Sequence, residues 1–449
     1  MSLFNSRNWL SISAPGSSIV CPEMRLLGWQ GEVLGIGSGI VRLDTFGDFD
    51  FGFEGHSTDR QQFCQFTSYQ QRNPYEGQAR LRLVVVDQSG EEIHCGYTVP
   101  ENLSLGEGTD LRCSGSVDGL HLDAPACANV GTEVLFFIPE QHWLSTVLAV
   151  SFPPPDEHGR SSHSMELLGS SLEFEYEPQS RSLTISIIGN ASFPQTYTEG
   201  WLGEPLRMMI GQLIFPRIYV RANPDCAMVM VSQNRLWHHE ADAYSLLEPA
   251  LTFEKATQFF DMYAEILTFV ATARDEEGNP NLERHPLTGF YDELAQAMRG
   301  SRWIMTLILA SAVEGVLDLL SPGGAKDKTA NLAEINDLKQ YIDRWTGHTT
   351  SSKESIASLK DRAKGAVSRT AELTAIKRLR LLAAQQMVTR EEVNAWEAVR
   401  NRVAHGKVFS PFSTAQNDRL IINLMSLFRR LAGRIALSRN PASTMFVRT

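Results

Sequence analysis

The chain has 449 residues, 43% of them hydrophobic and 21% charged, which excludes a disordered or fibrous protein and leaves room for two or three domains. The N-terminal segment shows neither a basic stretch followed by an apolar run nor a small-residue cleavage site. The most apolar stretch, at 303–313, is shorter than the roughly 20 residues of a membrane span. We therefore expect a cytoplasmic protein.

The net charge of −11 hides a strong asymmetry along the chain. Residues 1–225 hold 27 Asp and Glu against 13 Arg and no Lys, a balance of −14, whereas residues 226–449 have a balance of +3. Within the second half, residues 350–449 carry 18 Lys and Arg against 7 Asp and Glu, a balance of +11. Such a field favours contact of the C-terminal segment with a polyanion and disfavours nucleic-acid binding by the first half.

The potential metal ligands are few and scattered. The six cysteines lack paired C-x-x-C spacing, which favours reduced thiols over disulfides or a zinc site. The adjacent His238 and His239 have no supporting Cys or His cluster, so a hinge or surface role is favoured over metal binding. We expect no metal and no cofactor.

Residues 1–230 have the pattern of a β-rich domain. Short runs of β-branched and aromatic residues alternate with turn-forming residues, at 80–86, 133–138, 171–177 and 182–189. In SLEFEYE (171–177) three apolar residues alternate with three glutamates, as in a half-exposed antiparallel strand. The pattern predicts a sandwich or barrel-like β domain that serves as a sensor or interaction domain.

Two segments of this region are irregular by sequence. Residues 152–164, FPPPDEHGRSSHS, indicate a long exposed loop. The glycines of GIGSGI (35–40) invite a phosphate-loop interpretation, but no lysine or helix follows them, so they indicate a β-turn or bulge.

Residues 231–449 have a helical period instead. Apolar residues recur at spacings of three and four, which predicts helices at 245–275, 290–320, 359–387, 389–406 and 415–437. Thr389 and Glu392 form a capping-box pattern at the start of the fourth helix, and Gly406 is a natural end for it. The chain is thus an α+β multidomain protein, with a β-rich N-terminal domain followed by an all-α helical bundle.

The end of the fourth predicted helix carries the residues best suited to chemistry. Asn401 and His405 lie four residues apart on one helix face, and the long side chain of Arg400 can reach the same place. Arg402 and Lys407 add positive charge around them. A guanidinium that holds a phosphate, an imidazole that moves a proton and an amide that orients either one suit cleavage of a phosphodiester.

This segment resembles the signature of HEPN-superfamily ribonucleases, an Arg, a polar residue, three further residues and a His at the end of a bundle helix. An acidic residue in an earlier apolar helix, here Glu314, also looks similar to that superfamily. The resemblance covers about 285–440. It implies a metal-independent endoribonuclease that acts as a homodimer, with the two motifs meeting at the dimer interface.

The resemblance also implies roles for the individual residues. Arg400 would hold the scissile phosphate of RNA (tRNA included), His405 would transfer protons, and Asn401 would orient them. Arg402 and Lys407 would bind RNA. Glu314 would either support Arg400 or merely face solvent at a groove. The layout is similar to the ApeA type of anti-phage HEPN proteins, which suggests an abortive-infection or toxin-type effector whose N-terminal domain recognises a phage or host trigger.

Three other interpretations remain open from the residues alone. Arg400 could pair with a neighbouring acid while Asn401 and His405 cap helix carbonyls, with no catalysis. The bundle could be a dimerisation module that binds nucleic acid or nucleotides without cutting them. Carboxylates such as those of DTFGDFDF (44–51) could belong to a glycan-active β domain, although a polar strand face explains them more simply.

Overall fold

A computed structural model gives the fold of the protein. It describes residues 9, 16–43, 48–57, 80–106, 108–124, 129–138, 143–189, 193–232, 258–275, 277–298, 300–320, 332–347, 352–370, 374–405, 407, 409 and 412–437. The described residues up to His285 form one compact unit, and those from Pro286 onward form a second.

The first unit is built on antiparallel strands. Their bounds are β1 Ser18–Leu27, β2 Val33–Leu43, β3 Phe49–Ser57, β4 Leu81–Val86, β5 Glu92–Leu105, β6 Asp110–Val117, β7 Gly119–Ala124, β8 Gly131–Phe137, β9 Ser161–Leu167, β10 Ser170–Glu177, β11 Ser182–Ile188, β12 Ile218–Ala222 and β13 Ala227–Ser232. The antiparallel N-terminal region predicted from the sequence is confirmed.

Six of these strands close into a ring. The order β4-β1-β2-β3-β6-β5 returns to its start because β4 pairs with both β1 and β5. Buried side chains from each of the six strands belong to one hydrophobic core, among them Met24, Val41, Phe53, Leu83 and Cys113. Closure leaves this part of the sheet without an open edge, which gives the barrel-like form.

The remaining strands continue the same 13-stranded sheet beyond the ring. Their order is β7-β13-β12-β8-β11-β10-β9, and β7 joins them to β5 of the ring through two residue pairs, Ile93 with Leu122 and His94 with His121. The predicted alternation in β10 is borne out on one face, where Leu172, Phe174 and Tyr176 are all buried.

Parts of this unit differ from what the sequence predicted. Residues 35–40 lie within β2 rather than at a turn, because the alternate glycines let the neighbouring backbone approach: a Cβ on Gly39 would lie 1.9 Å from the carbonyl oxygen of Gly52. The alternative prediction, a bulge, agrees with the register shift between Cys21 and Met24 of β1, which pair with Gly39 and Gly37. The loop at 152–164 ends early, because Ser161 already begins β9. Glu175 is buried rather than exposed, since Arg160 covers it with Nε at 3.5 Å from Oε1.

Three helices also belong to the first unit: α1 Trp143–Ser151, α2 Gln195–Ile210 and α3 Phe259–Ala271. The first two were not predicted. The third lies within the region predicted as helical from residue 231, yet it packs on the β-rich unit. Its Phe260 ring contacts Phe174 of β10 at 5.0 Å, and its Tyr263 hydroxyl donates to the carbonyl oxygen of Leu202 of α2 at 2.6 Å.

Every element described in the second unit is a helix. The bounds are α4 Pro286–Ala297, α5 Arg302–Leu320, α6 Leu332–Arg344, α7 Lys353–Thr370, α8 Ala375–Ala384, α9 Arg390–Ala404 and α10 Ala415–Ala436. The helical C-terminal region is confirmed, but two long predicted helices, 290–320 and 359–387, are each divided in two, and α6 was not predicted. Of the helix predicted at 245–275, the first part lies outside the described residues, as do Gly406, His238 and His239.

Helix α5 lies in the core of the second unit. It contacts α4, α9 and α10, and its buried residues include Leu309, Val313 and Val316. By length and composition it is the one helix in the described part of the chain that could cross a membrane. Its packing is that of a core helix in a helical unit.

The predicted capping box at the start of α9 is confirmed. The Thr389 amide donates to Oε2 of Glu392 at 2.7 Å, and the Glu392 amide donates to the Thr389 hydroxyl at 3.1 Å. The buried Glu392 carboxylate also accepts from Ser426 at 2.6 Å and from Nε of Arg430 at 2.9 Å, both on α10. One carboxylate therefore begins α9 and ties it to α10.

Candidate functional site

The residues singled out by sequence lie on the last turns of α9 and directly after it. Arg400, Asn401, His405 and Lys407 are exposed, whereas Arg402 is half-buried. The His405 amide donates to the carbonyl oxygen of Asn401 at 3.1 Å, and the Lys407 amide donates to that of Arg402 at 2.9 Å. The second bond closes a six-residue ring, which is typical of a helix C-terminus. The C-terminal end of α9 thus presents its polar side chains to solvent.

Arg400 is oriented by an acidic residue from another helix. Its Nε lies 3.1 Å from Oε1 of Glu314 on α5, with the two side chains 49% and 38% exposed. The terminal nitrogens Nη1 and Nη2 of Arg400 form no hydrogen bond with the described residues. Because Glu314 takes only Nε, the forked end of the guanidinium can accept an anion in a bidentate geometry.

Tight contacts fix the helix that carries Glu314. The Trp396 indole of α9 donates to the carbonyl oxygen of Ala310 on α5 at 3.3 Å, one turn before both members of the ion pair. A Cβ on Gly315, the neighbour of Glu314, would lie 2.2 Å from the Phe290 ring of α4. A larger residue at position 315 could not keep this packing, so contacts from α4 and α9 together set the position of α5 and with it the Glu314 carboxylate.

Arg402 points to a different set of residues. Its Nη1 donates to Oδ1 of Asn417 on α10 at 2.9 Å, and its guanidinium lies 5.0 Å from the centre of the Phe409 ring. The next residue of α10, Asp418, accepts from Ser413 and forms an ion pair with Arg302 of α5. The Ser413 hydroxyl, and after it Arg302, lowers the pKa of Asp418 below its usual value. Arg402 therefore helps to hold α9 against α10.

The structure brings some of the predicted site residues together. Glu314 meets Arg400 in a hydrogen-bonded ion pair, although 86 positions separate them. Asn401 and His405 lie one turn apart, which corresponds to about 40° of rotation and one exposed face. The set offers a guanidinium, an amide and an imidazole in contact with water. Among the described residues, no group of three or more His, Cys, Asp or Glu residues could hold a metal ion.

Two of the cavities that the described residues form lie in the first unit. A groove of about 760 Å³ crosses β2, β3, β6 and β5, and its polar wall includes Glu54 and Arg112, whose side chains lie 3.6 Å apart and are largely exposed. A second cavity, of about 610 Å³, is lined by α2, β12, β13 and the segment 282–284. This volume is in the range of small-molecule sites.

The second cavity contains buried polar groups that the sequence analysis did not single out. Along α2 it is lined by Tyr197, Trp201, Glu204 and Arg207, the last three of them buried. Oε2 of Glu204 accepts from the His285 amide at 3.3 Å, and Nε1 of Trp201 has no hydrogen-bond partner among the described residues. The spacing of these side chains is helical and could have indicated the site. Pro205 inside α2 and the glycines around it obscured that signal.

Comparisons with known proteins do not assign the chain to a family. Neither the protein-family models, nor the curated proteins, nor the solved structures give a match to the chain.

Proposed function

We propose that the chain is a metal-independent endoribonuclease of the HEPN type whose site comprises Arg400, Asn401 and His405. The observation that carries the proposal is the exposed Arg400 guanidinium, anchored through Nε by Glu314 and leaving both terminal nitrogens to bind a phosphate. The charge of +11 over residues 350–449 supports a polyanionic substrate.

The chemistry follows from the groups available. The ribose 2′-oxygen attacks the phosphorus and loses its proton, and the 5′-oxygen leaves and gains one. His405 takes part in this proton transfer, and Arg400 offsets the negative charge that grows on the phosphate. Asn401 orients the imidazole or the phosphate. The products are a 2′,3′-cyclic phosphate and a 5′-hydroxyl, so only RNA, which has the 2′-hydroxyl, is a substrate.

The wider role rests on the same resemblance. We propose a homodimer joined through the helical unit and an effector of the anti-phage, abortive-infection or toxin type. The β-rich unit would recognise a phage or host trigger and restrain the nuclease. Its balance of −14 over residues 1–225 favours a protein or small-molecule trigger over nucleic acid.

The test is cleavage of total RNA and of purified tRNA in EDTA, with the end groups of the fragments identified. We expect cyclic-phosphate ends from the wild type and no fragments from His405→Ala or Arg400→Ala. Asn394→Ala is a matched control for Asn401→Ala, because Asn394 is also exposed on α9. Unchanged cleavage by folded His405→Ala would refute the assignment.

The alternative is a non-catalytic dimerisation module that binds nucleic acid or nucleotides, joined to a protein- or ligand-sensing β domain. The 610 Å³ cavity with buried Glu204 and Arg207 favours a ligand-sensing role for the first unit under either proposal. A growth assay separates the two. The nuclease predicts toxicity on overexpression or exposure to the trigger that His405→Ala abolishes, whereas the binding module predicts equal growth.

A further inference from the structure

Helix α6 of the second unit carries an exposed apolar stripe. Leu338, Tyr341 and Trp345 are 48%, 72% and 46% exposed, and they fall within about 60° of rotation around the helix. Trp345 follows α6 directly and continues it, because its amide donates to the carbonyl oxygen of Tyr341 at 3.1 Å. Three large apolar side chains in a row on one face are unusual for a solvent-exposed surface.

The packing of α7 does not explain this stripe. Lys360 and Lys364 of α7 donate to Asp343 at 2.5 and 2.8 Å, and Asp343 lies about 160° around the helix from Trp345. Ile335 and Ile342, on the side nearer to α7, are half-buried. The stripe therefore faces away from α7.

Helix α6 also lacks the burial that a short helix needs. It has 13 residues and none of them is buried, and α7 is the one described element with which it makes extensive contact. Isolated helices shorter than about 12 to 15 residues are marginal in water, so packing of an apolar face supplies most of their stability. A further helix against the stripe would provide that packing.

The charges beside the stripe indicate that the helix that packs against it is α6 of a second copy of the chain. Asp337 and Arg344 are seven residues apart, so both lie on the same flank of the stripe, and neither forms an ion pair or side-chain hydrogen bond among the described residues. When two copies of α6 pair in antiparallel orientation about a two-fold axis near Tyr341, Asp337 of each copy faces Arg344 of the other. In parallel pairing these two residues would not face each other. Helix α6 carries Glu334, Asp337 and Asp343 against Lys339 and Arg344, so it offers RNA no net positive charge.

We propose that α6 is a homodimer contact in which two copies pair antiparallel through Leu338, Tyr341 and Trp345. The proposal names a surface for the homodimer proposed above. It does not depend on RNA cleavage, since it is tested by molecular mass.

The first test is sedimentation equilibrium of the full chain, whose mass is 50.0 kDa per copy. We expect twice this mass for the wild type at micromolar concentration, and the mass of a single copy for Tyr341→Ser. Asp337→Arg and Arg344→Asp alone should each raise the dissociation constant about tenfold, because two attractive pairs become repulsive. The double exchange should restore it. Circular dichroism checks that each variant is folded.

Cysteine cross-linking tests the orientation. Tyr341→Cys should form a disulfide-linked dimer under mild oxidation because position 341 faces itself across the two-fold axis. Trp345→Cys should not form one, because the two copies of position 345 lie about 12 Å apart along the helix axis. Wild type treated in the same way controls for the exposed Cys226.

The outcomes distinguish this proposal from its competitors. A monomeric wild type, or a dimer that Tyr341→Ser and the charge exchanges leave intact, refutes the α6 contact. Loss of RNA binding without a change of mass would assign the stripe to RNA and refute it as well. Equal cross-linking at both positions would refute the antiparallel orientation.

Discussion

Nε of Arg400 lies 3.1 Å from Oε1 of Glu314, which joins the end of α9 to the middle of α5 through one hydrogen-bonded ion pair. Both side chains are more than a third exposed, so the pair contributes at most about 1 kcal/mol to stability. Its main effect is to fix the direction of the guanidinium. Because Glu314 contacts only Nε, the other two nitrogens of the guanidinium stay available to a ligand.

Glu314→Ala tests whether this orientation serves catalysis. We expect cleavage to fall about tenfold, since Arg400 is then held less well for a phosphate, while the free energy of unfolding changes by less than about 1 kcal/mol. Glu314→Gln retains an acceptor and should recover part of the activity. Asp318→Ala is the matched control, because Asp318 also lies on α5 and pairs with Arg378 at 2.6 Å. Equal loss in both variants would contradict a specific role for Glu314.

Arg402→Ala and Lys407→Ala should differ in their effect on stability. Arg402 donates to Asn417 and lies over the Phe409 ring, so its removal should lower the free energy of unfolding by about 1 kcal/mol. Lys407 is exposed, and its removal should leave stability unchanged. Both variants should weaken RNA binding and reduce its dependence on salt. Urea unfolding and binding titrations at two salt concentrations measure these effects.

Glu392→Ala should destabilise the second unit strongly. The substitution removes the capping box of α9 and the buried acceptor for Ser426 and Arg430, so we expect a loss of about 3 kcal/mol in the free energy of unfolding. The neighbouring Glu391 is exposed, and Glu391→Ala should change stability by less than about 0.5 kcal/mol. Similar urea midpoints for the two variants would show that the carboxylate of Glu392 contributes little.

His285 should make the first unit less stable in acid. Burial lowers the pKa of His285 from 6.5 to about 4, and its ring lies 4.3 Å from that of Phe269. As the pH falls below 6.5, His285 binds a proton in the unfolded chain but not yet in the folded chain. The contribution of neutral His285 to the free energy of unfolding is therefore complete above pH 6.5 and is lost as the pH falls to about 4. The full change is about 3 kcal/mol.

The measurement is urea unfolding between pH 7.5 and pH 4. His285→Gln should flatten the dependence of stability on pH, whereas the variant of an exposed histidine, His158→Gln, should keep it. Some dependence should remain in both variants, because burial also lowers the pKa of His121 and His163. An unchanged slope in His285→Gln would contradict the prediction.

The sequence by itself determined those features whose cause is local. The alternation of β10, the capping box of Thr389 and Glu392 and the change of period between the two halves depend on neighbours within about four residues, so they are readable from the chain. The end of α9 with its exposed Arg400, Asn401 and His405 is local in the same sense.

Only the tertiary structure decided the features that join distant positions. The closure of β4 onto β5, the placement of α3 on the β-rich unit and the contact between Glu314 and Arg400 each depend on surfaces that meet after folding. The stripe on α6 belongs here too, since its exposure depends on which face α7 covers. Periodicity states which face of an element is apolar, but the partner that covers that face is set by long-range packing, which no short window of sequence contains.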